Sequence, residues 1–286
     1  MLKQRVITAL ALLAVLLPAL LSSNTQYFMG LSLLMICAGA WEWGRLNDRS
    51  DASAWAGGLL FFLLSVTAVD QGWTRHSPLI LWLTSGAVWV LLGVGVLRMG
   101  VDGWGRLPAV LRWLAGLVLL VVAWLALIQA RQVGVNFLLS VLVLVWAADV
   151  AAYFAGRAFG GRVFRVKLAP AISPGKTWEG AFGGVAGVLL VAGFWLLWDQ
   201  AHPGLEPSLH TRLWSRGWWL ALPAWVFLTA MSIVGDLFES LVKRSAGVKD
   251  SSGLLPGHGG VLDRVDALLP TLPLAMMLCG WLEWQA

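Results

Sequence analysis

The chain has 286 residues, of which 59% are hydrophobic and 12% are charged, and its formal net charge is +5. This composition lies well outside the range of soluble domains and excludes a soluble globular protein. Apolar stretches of roughly 17 to 25 residues, enough to cross the ~30 Å hydrocarbon layer as helices, recur along the whole chain. We therefore predict an all-α integral membrane protein, a polytopic bundle of about nine transmembrane helices.

The predicted spans follow one another with short polar connections. Their approximate limits are 6–22, 26–44, 55–70, 77–97, 109–130, 133–155, 180–198, 217–238 and 262–284. The first span follows Lys3 and Arg5, as a signal peptide would, but it lacks an A-x-A cleavage site, so we predict a retained helix. Tryptophans near span ends predict an interfacial aromatic belt. They include Trp43, Trp73, Trp104, Trp178, Trp198, Trp218 and Trp284.

The basic residues of the connections predict the orientation, because cytoplasmic loops carry an excess of Lys and Arg. With nine spans and the N-terminus inside, 16 of the 20 basic residues fall on the cytoplasmic side. The four outside are Arg75, Arg131, Arg212 and Arg216. We therefore predict a multi-pass protein of the inner (cytoplasmic) membrane with a cytoplasmic N-terminus and an external C-terminus. The positive charge then reflects orientation and contact with membrane lipids, and we expect no nucleic-acid partner.

The two parts of the chain differ in where their polar residues lie. Residues 1–132 hold about five spans with little internal charge, and we predict a transmembrane scaffold there. Glu42, near a span end, is interpreted as snorkelling or paired rather than catalytic. Residues 133–286 hold about four spans and two predicted cytoplasmic loops, 156–179 and 243–261, which are rich in basic residues and glycine. We predict that this second region is catalytic.

The eighth span ends in a polar face. At 100° per residue, its polar side chains share an arc of about 140° and its apolar ones take the opposite side. The polar residues are Asp236, Glu239, Ser240, Lys243 and Arg244, and the apolar ones are Leu237, Phe238, Leu241 and Val242. An amphipathic helix end leaving the membrane is the alternative for the outer residues. Asp236 lies deeper, directly after Gly235, where an unpaired carboxylate is costly, so it needs a cation or a network of donors.

The ninth span begins with a second group of polar residues. The segment 258–260, His-Gly-Gly, stands just before it, and Asp263 and Asp266 lie in its first turns. Glycines let backbone N–H groups approach an anion, although acidic residues at a helix start also serve as capping and dipole partners. Asp236 and Asp263 thus belong to neighbouring spans joined by a basic, glycine-rich loop. That combination suits Mg²⁺ held by carboxylates while Lys and Arg bind phosphates.

The other basic loop contains SPGKTWEG, residues 173–180. Ser173 followed by Pro174 predicts a helix start with Ser173 as N-cap, which places Lys176 near an N-terminus able to receive a nucleotide phosphate. A P-loop is excluded, because Pro170 stands where that pattern requires glycine and no strand precedes it.

Two features of the sixth and seventh spans complete the pattern. The glycine pairs Gly180/Gly184 and Gly183/Gly187 predict close helix packing. Asp149 lies inside the sixth span, where an ionisable residue is a functional candidate, with pairing to a buried Lys or Arg as the alternative.

The chain resembles the phosphatidate cytidylyltransferases, also called CDP-diacylglycerol synthases, through a signature of fixed positions. The matching residues are Ser240, Lys243, Arg244, Lys249, Asp250, Pro256, His258, Gly259, Gly260, Asp263, Arg264 and Asp266. The resemblance extends upstream through SPGKTWEG and through the Asp149, Tyr153 and Arg157 region, so it covers about residues 145 to 270. The first five spans match only as a hydrophobic profile.

The resemblance implies transfer of a cytidylyl group from CTP to phosphatidic acid, with Mg²⁺ as cofactor. It implies as catalytic residues Asp236, Lys243, Lys249, Asp263 and Arg264, and as metal ligands Asp236, Asp263 and Asp266. Implied in substrate binding are Ser173, Lys176, Ser240, Arg244, Asp250, His258, Gly259, Gly260 and Asp149. A second, monovalent cation and a homodimer are left open.

Two other functions fit parts of the sequence. A CTP-dependent polyprenol kinase would share the membrane helices, CTP and Mg²⁺, but would attack the γ-phosphorus with an alcohol. An ion-coupled membrane transporter would use the intramembrane Asp149 and Asp236 and glycine-broken helices. Against a transporter, the charges cluster at the predicted cytoplasmic face and no paired halves are evident.

Overall fold

The computed structural model describes residues 2–47 and 50–284. Arg49, one of the basic residues counted on the predicted cytoplasmic side, lies outside them. Within these residues the fold is helical, and each predicted span coincides with a long helix. The long helices are α1 Leu2–Leu21, α2 Thr25–Leu46, α3 Asp51–Asp70, α4 Leu79–Arg106, α5 Ala109–Val133, α6 Val135–Phe159, α7 Trp178–Ala201, α9 Trp218–Ser245 and α11 Leu268–Trp284. The sequence does not predict the short helix α8, Leu209–Trp214, and the predicted ninth span is divided into α10, Leu262–Val265, and α11.

Length and composition identify the helices able to cross a membrane. Among the described residues six qualify, namely Asp51–Asp70, Ala109–Val133, Val135–Phe159, Trp178–Ala201, Trp218–Ser245 and Leu262–Leu282. A seventh is added if the two arms of α4, Leu79–Gly95 and Leu97–Arg106, bent by 88°, form one span. The chain is therefore a multi-pass membrane protein, while the number of nine spans and the cytoplasmic N-terminus stay predictions.

Helices α6 and α7 pack as closely as glycine allows. A Cβ built on Gly183 or Gly187 would lie 2.1 Å or 2.4 Å from an alanine Cβ of α6, and one on Gly180 or Gly184 would lie 3.0 Å from an α6 carbonyl oxygen. The predicted packing role of the glycine pairs is confirmed. This contact also keeps Asp149 of α6 beside the segment that leads into α7, because both line one cavity.

Two of the predicted belt tryptophans lie in the core instead. Trp43 and Trp104 are each 2% exposed and, with Trp89, surround Phe238 of α9 at centroid distances of 5.9, 5.4 and 5.6 Å respectively. The belt prediction was wrong for these two because their indole N–H groups find buried acceptors, a carbonyl of α5 and the side-chain oxygen of Asn47. Exposed near helix ends, as predicted, are Trp73, Trp178, Trp198 and Trp218. The side chain of Trp284 lies outside the described ones.

Gly183→Ala tests the contact between α6 and α7. The added methyl group would overlap Ala155, so the helices must separate at a cost of about 1–3 kcal/mol. Gly193→Ala is the matched control, since Gly193 lies on the same helix with open space around it and alanine there gains up to about 1 kcal/mol. Thermal unfolding in detergent should show a lower midpoint for Gly183→Ala only; equal midpoints would contradict the close packing.

Candidate active site

The polar face of α9 is built around Lys243. Its ammonium nitrogen lies 2.5 Å from Oδ1 of Asp263 and forms a salt bridge with Glu239, one turn earlier on the helix. The side chains of Lys243 and Glu239 are 11% and 2% exposed, so these charges are withdrawn from water and each needs its partner. On the other side of α9 the predicted apolar residues are all buried: Leu237, Phe238, Leu241 and Val242.

Asp263 organises the loop that precedes α10. Its Oδ2 accepts hydrogen bonds from the backbone N–H groups of Ser251 and Gly260, at 2.9 and 2.8 Å, and lies 2.8 Å from the Ser251 hydroxyl. Together with Lys243, these donors engage both carboxylate oxygens. A Cβ on Gly260 would lie 2.1 Å from Oγ of Ser251 and 2.3 Å from Oε1 of Glu42, so the loop closes only around a glycine.

Residues 255–260 form a tight turn within this loop. The N–H of Leu255 donates to the carbonyl of Gly259 at 2.9 Å, and Gly259 has a φ of +80°, which favours glycine. Arg264 donates from Nε and Nη2 to the His258 carbonyl at 3.0 and 2.7 Å. The structure thus brings together the predicted residues His258, Gly259 and Arg264 through backbone contacts.

Other predicted residues of this loop lie at the surface. Lys249 and Asp250 are exposed, and so is Arg244, whose Nη1 donates to the Val248 carbonyl at 2.8 Å. Exposure leaves the ammonium group of Lys249 able to reach a ligand in water.

A second carboxylate of α9, Asp236, joins this region to the loop before α7. Its Oδ2 lies 2.7 Å from Nζ of Lys176, and its Oδ1 accepts a hydrogen bond from the Ser240 hydroxyl at 3.2 Å. The prediction that Asp236 meets a cation is confirmed. The Lys176–Asp236 contact joins the loop before α7 to α9, the helix that leads into the second basic loop, although 60 positions separate these residues in sequence.

Gly235 determines how closely α9 approaches the start of α11. A Cβ at this position would lie 2.5 Å from the carbonyl oxygen of Asp266 and 2.8 Å from Cδ of Pro270. Asp266 itself accepts a hydrogen bond from the Ala267 N–H at 2.8 Å, at the junction of α10 and α11. The glycine before Asp236 therefore sets that carboxylate beside the segment that carries Asp266.

A cavity of about 600 Å³ opens beside Asp236 and Lys176. Asp149 and Arg157 also line it, and Arg157 donates from Nη1 to the Tyr153 hydroxyl at 3.0 Å. The cavity thus presents two carboxylates and two cationic side chains. Such a lining suits a phosphate group that enters together with a metal ion.

The prediction that Ser173 caps a helix was wrong. Helix α7 begins at Trp178, and its N-cap is Thr177, whose hydroxyl accepts a hydrogen bond from the N–H three residues on. Ser173 instead pairs with Ala169 in a tight turn, and Lys176 lies in the loop before the helix. Threonine supplies the same capping hydroxyl as serine, and the turn keeps Ser173 out of the helix.

No functional role was predicted for the buried glutamates of α2 and α9. Glu42 of α2 is completely buried and accepts hydrogen bonds from the loop before α10, so the paired interpretation is confirmed and the snorkelling one is wrong. An acid inside an apolar span was the signal. Glu239 was placed on the polar face, and its position four residues before Lys243 signalled their salt bridge.

The carboxylates differ in their fitness for a metal ion. Within residues 2–47 and 50–284, no three His, Cys, Asp or Glu side chains are grouped to hold a metal by themselves. Both carboxylates have protein donors on each oxygen, but the side chain of Asp263 is only 7% exposed, whereas that of Asp236 is 32% exposed and lines the cavity with Asp149. Mg²⁺ commonly takes one or two protein carboxylates and completes its shell with substrate phosphates and water. Asp236 fits that pattern.

These features define a class: a multi-pass membrane protein in which helix ends and loops gather lysines, arginines and carboxylates beside a cavity sized for phosphate groups. A family model described as "Cytidylyltransferase family" matches residues 3–282. The phosphatidate cytidylyltransferase of Pseudomonas aeruginosa is 38% identical over 100% of both chains, and that of Haemophilus influenzae is 36% identical over 96% of both. That of Brucella suis is 48% identical over 48% of this chain and 44% of its own. The chain belongs to the cytidylyltransferase family.

Gly260→Ala tests the closed loop. The new methyl group would overlap Ser251 and Glu42, so the hydrogen bonds to Asp263 must lengthen, and we expect a loss of about 10-fold or more in activity. Gly253→Ala is the matched control, because Gly253 lies in the same loop with open space around it. Equal activity of the two variants would show that the loop does not need this geometry.

Proposed function

We propose that the protein transfers a cytidylyl group from CTP to phosphatidate, giving CDP-diacylglycerol and pyrophosphate. The observation that carries the proposal is the contact between Lys176 and Asp236, which joins the first basic loop to α9, the helix that leads into the second, beside one cavity. The activity is also the one that names the full-length relatives.

This reaction needs little acid–base catalysis by the protein. A phosphate monoester has a second pKa of about 6, so phosphatidate is largely dianionic near pH 7 and its oxygen can attack the α-phosphorus of CTP directly. A P–O bond forms to the lipid phosphate while the bond to pyrophosphate breaks. The protein contributes by holding both substrates in line and by neutralising their charges.

Some charged residues would bind the substrate phosphates, and others would orient the residues around them. Lys176, Lys249 and Arg264 bind the nucleotide phosphates, and the turn 258–260 shapes the nucleotide site. Lys243, enclosed by two carboxylates, fixes the orientation of Asp263.

Mg²⁺ is part of the proposal. Asp236 would hold it, and Asp263 and Asp266, on the adjoining segment, are further candidates for ligands. The ion supplies charge neutralisation on the triphosphate when bound.

The orientation is also a proposal. Both basic loops would face the cytoplasm from the inner membrane, because an excess of Lys and Arg keeps loops inside. CTP is a charged, water-soluble nucleotide, and with this orientation the exposed Lys249 would be open to it from the cytoplasm.

Purified protein with phosphatidate, labelled CTP and Mg²⁺ tests the activity. We expect CDP-diacylglycerol and pyrophosphate to appear together. Formation of CDP with a phosphorylated lipid would indicate a kinase instead, and the absence of any product from folded protein would overturn the proposal.

Asp263→Asn keeps the shape of the side chain and removes its charge. We expect a loss of several kcal/mol of transition-state stabilisation, about 100-fold or more in kcat. The concentration of Mg²⁺ at half-maximal rate separates two roles: it rises if Asp263 binds the metal and stays constant if Asp263 only holds the loop. Activity within tenfold of the parent at saturating Mg²⁺ would remove Asp263 from the site.

Lys249→Ala removes an exposed cation, so the unfolding midpoint should not change. Loss of one charge-assisted hydrogen bond should weaken CTP use by about 10- to 100-fold, measured as kcat/KM for CTP. Arg98→Ala, at an exposed position on α4, is the control and should behave as the parent. Unchanged KM and kcat in Lys249→Ala would exclude Lys249 as a phosphate ligand.

A further inference from the structure

Glu42 lies one turn before the end of α2 and is completely buried. Each of its oxygens meets one backbone N–H and one hydroxyl. Oε1 accepts from the Val261 N–H at 3.0 Å and the Ser252 hydroxyl at 2.5 Å, and Oε2 accepts from the Leu262 N–H at 2.8 Å. The Ser251 hydroxyl lies 3.2 Å from Oε2. This carboxylate is therefore surrounded by donors from a distant part of the chain.

All four donors belong to the two ends of one segment, residues 251–262. Ser251 and Ser252 open it, and Val261 and Leu262 close it at the start of α10. Because the same carboxylate binds both ends, it holds the segment as a closed loop. The enclosed residues include His258 and the Gly259–Gly260 turn.

A chain of polar contacts leads from Glu42 to the centre of the site. The single proton of the Ser251 hydroxyl is shared between Glu42 and Asp263, at 3.2 and 2.8 Å. Asp263 in turn binds Lys243, which binds Glu239. A displacement of Ser251 therefore changes the donors available to Asp263.

We propose that Glu42 is a positioning residue for cytidylyl transfer, which holds the 251–262 loop in the shape that orients Asp263 and Lys243. This inference rests on the proposed function. Glu42 lies behind the loop and acts through it, because its oxygens are occupied by loop donors and its side chain is inaccessible to substrate. Without it, two backbone N–H groups at the start of α10 lose their acceptor. Opening of the loop then becomes more favourable, because water can accept from these N–H groups.

Glu42→Gln is the sharpest test, because glutamine has the same size but replaces one oxygen with an NH₂ group. A serine hydroxyl can rotate to accept from that NH₂, whereas the N–H of Val261 or Leu262 cannot. We expect kcat to fall about 10- to 100-fold, the range set by one unsatisfied buried donor. Hydrogen exchange at residues 260–262 should accelerate, while exchange in α6 and α7 should stay at the parent rate.

Ser252→Ala is a milder second variant that removes only one donor from Glu42. It leaves the carboxylate and both backbone donors in place, so the protein should fold normally. We expect a reduction of kcat of about 2- to 5-fold, consistent with one hydrogen bond of ordinary net strength. An unchanged kcat in both variants would overturn the proposal.

Asp199→Asn controls for loss of a carboxylate that merely stabilises the fold. Asp199 accepts hydrogen bonds from Asn136, Ser208 and Thr211, at 2.8, 2.9 and 2.6 Å. It lies roughly 30 Å along α7 from the Lys176 end of that helix. Its replacement should lower the unfolding midpoint and leave kcat within about twofold of the parent, as expected for a site remote from the chemistry.

The outcomes distinguish failure of the proposed function from failure of the positioning role of Glu42. A parent enzyme without cytidylyl transfer would overturn the proposed function, and the exchange measurement would still report whether Glu42 holds the loop. An active parent with kcat of Glu42→Gln within twofold, or with equal kcat losses in Glu42→Gln and Asp199→Asn, would overturn the positioning role.

Discussion

The rest of the site depends on one interaction, the pairing of the Lys243 ammonium group with Glu239 and Asp263. Removing Lys243 would leave two carboxylates without their shared cation, at a cost of about 3–5 kcal/mol, so the lysine holds the three side chains together. Two of them belong to α9 and the third to α10, and the intervening chain must therefore fold back on α9. Gly235 and Gly260 provide the space for that return, because a methyl group at either position would meet backbone or side-chain atoms.

Apolar and polar contacts both connect the two predicted regions, the scaffold of residues 1–132 and the catalytic region of residues 133–286. On the apolar side, Trp43 and Trp104 pack against Phe238 and so support α9 from behind. On the polar side, Glu42 binds the loop between α9 and α10. The first helices thus support both α9, through its apolar side, and the loop that follows it.

The positions of the long helices were predictable, because the need to satisfy backbone groups inside a membrane leaves uninterrupted apolar stretches in the sequence. The packing glycines of α7 and the polar face of α9 were predictable for a related reason, since both follow the period of a helix. The N-cap of α7 was not predictable. Ser173 and Thr177 offer the same hydroxyl, and only the turn formed with Ala169 decides between them.

The site was predictable where its residues are close in sequence and not where they are distant. Asp236, Ser240, Lys243 and Asp263 form a pattern within one segment, and the structure pairs Asp236 with Ser240 and Lys176 and pairs Lys243 with Asp263. The contacts of Glu42 with that segment, by contrast, depend on how α2 packs. Trp43 and Trp104 show the same limit, because an indole near a span end looks identical in sequence whether it faces lipid or the core.

The hydrogen bond between Glu42 and Val261 joins residues 219 positions apart, which has a consequence for biogenesis. Glu42 is synthesised early, while its donors follow roughly 10 to 40 s later at 5–20 residues per second. Until then its end of α2 must stay in contact with water or borrow other donors. The segment that completes the site is therefore synthesised long after α2, and a nascent chain interrupted between the two would hold a carboxylate without its donors.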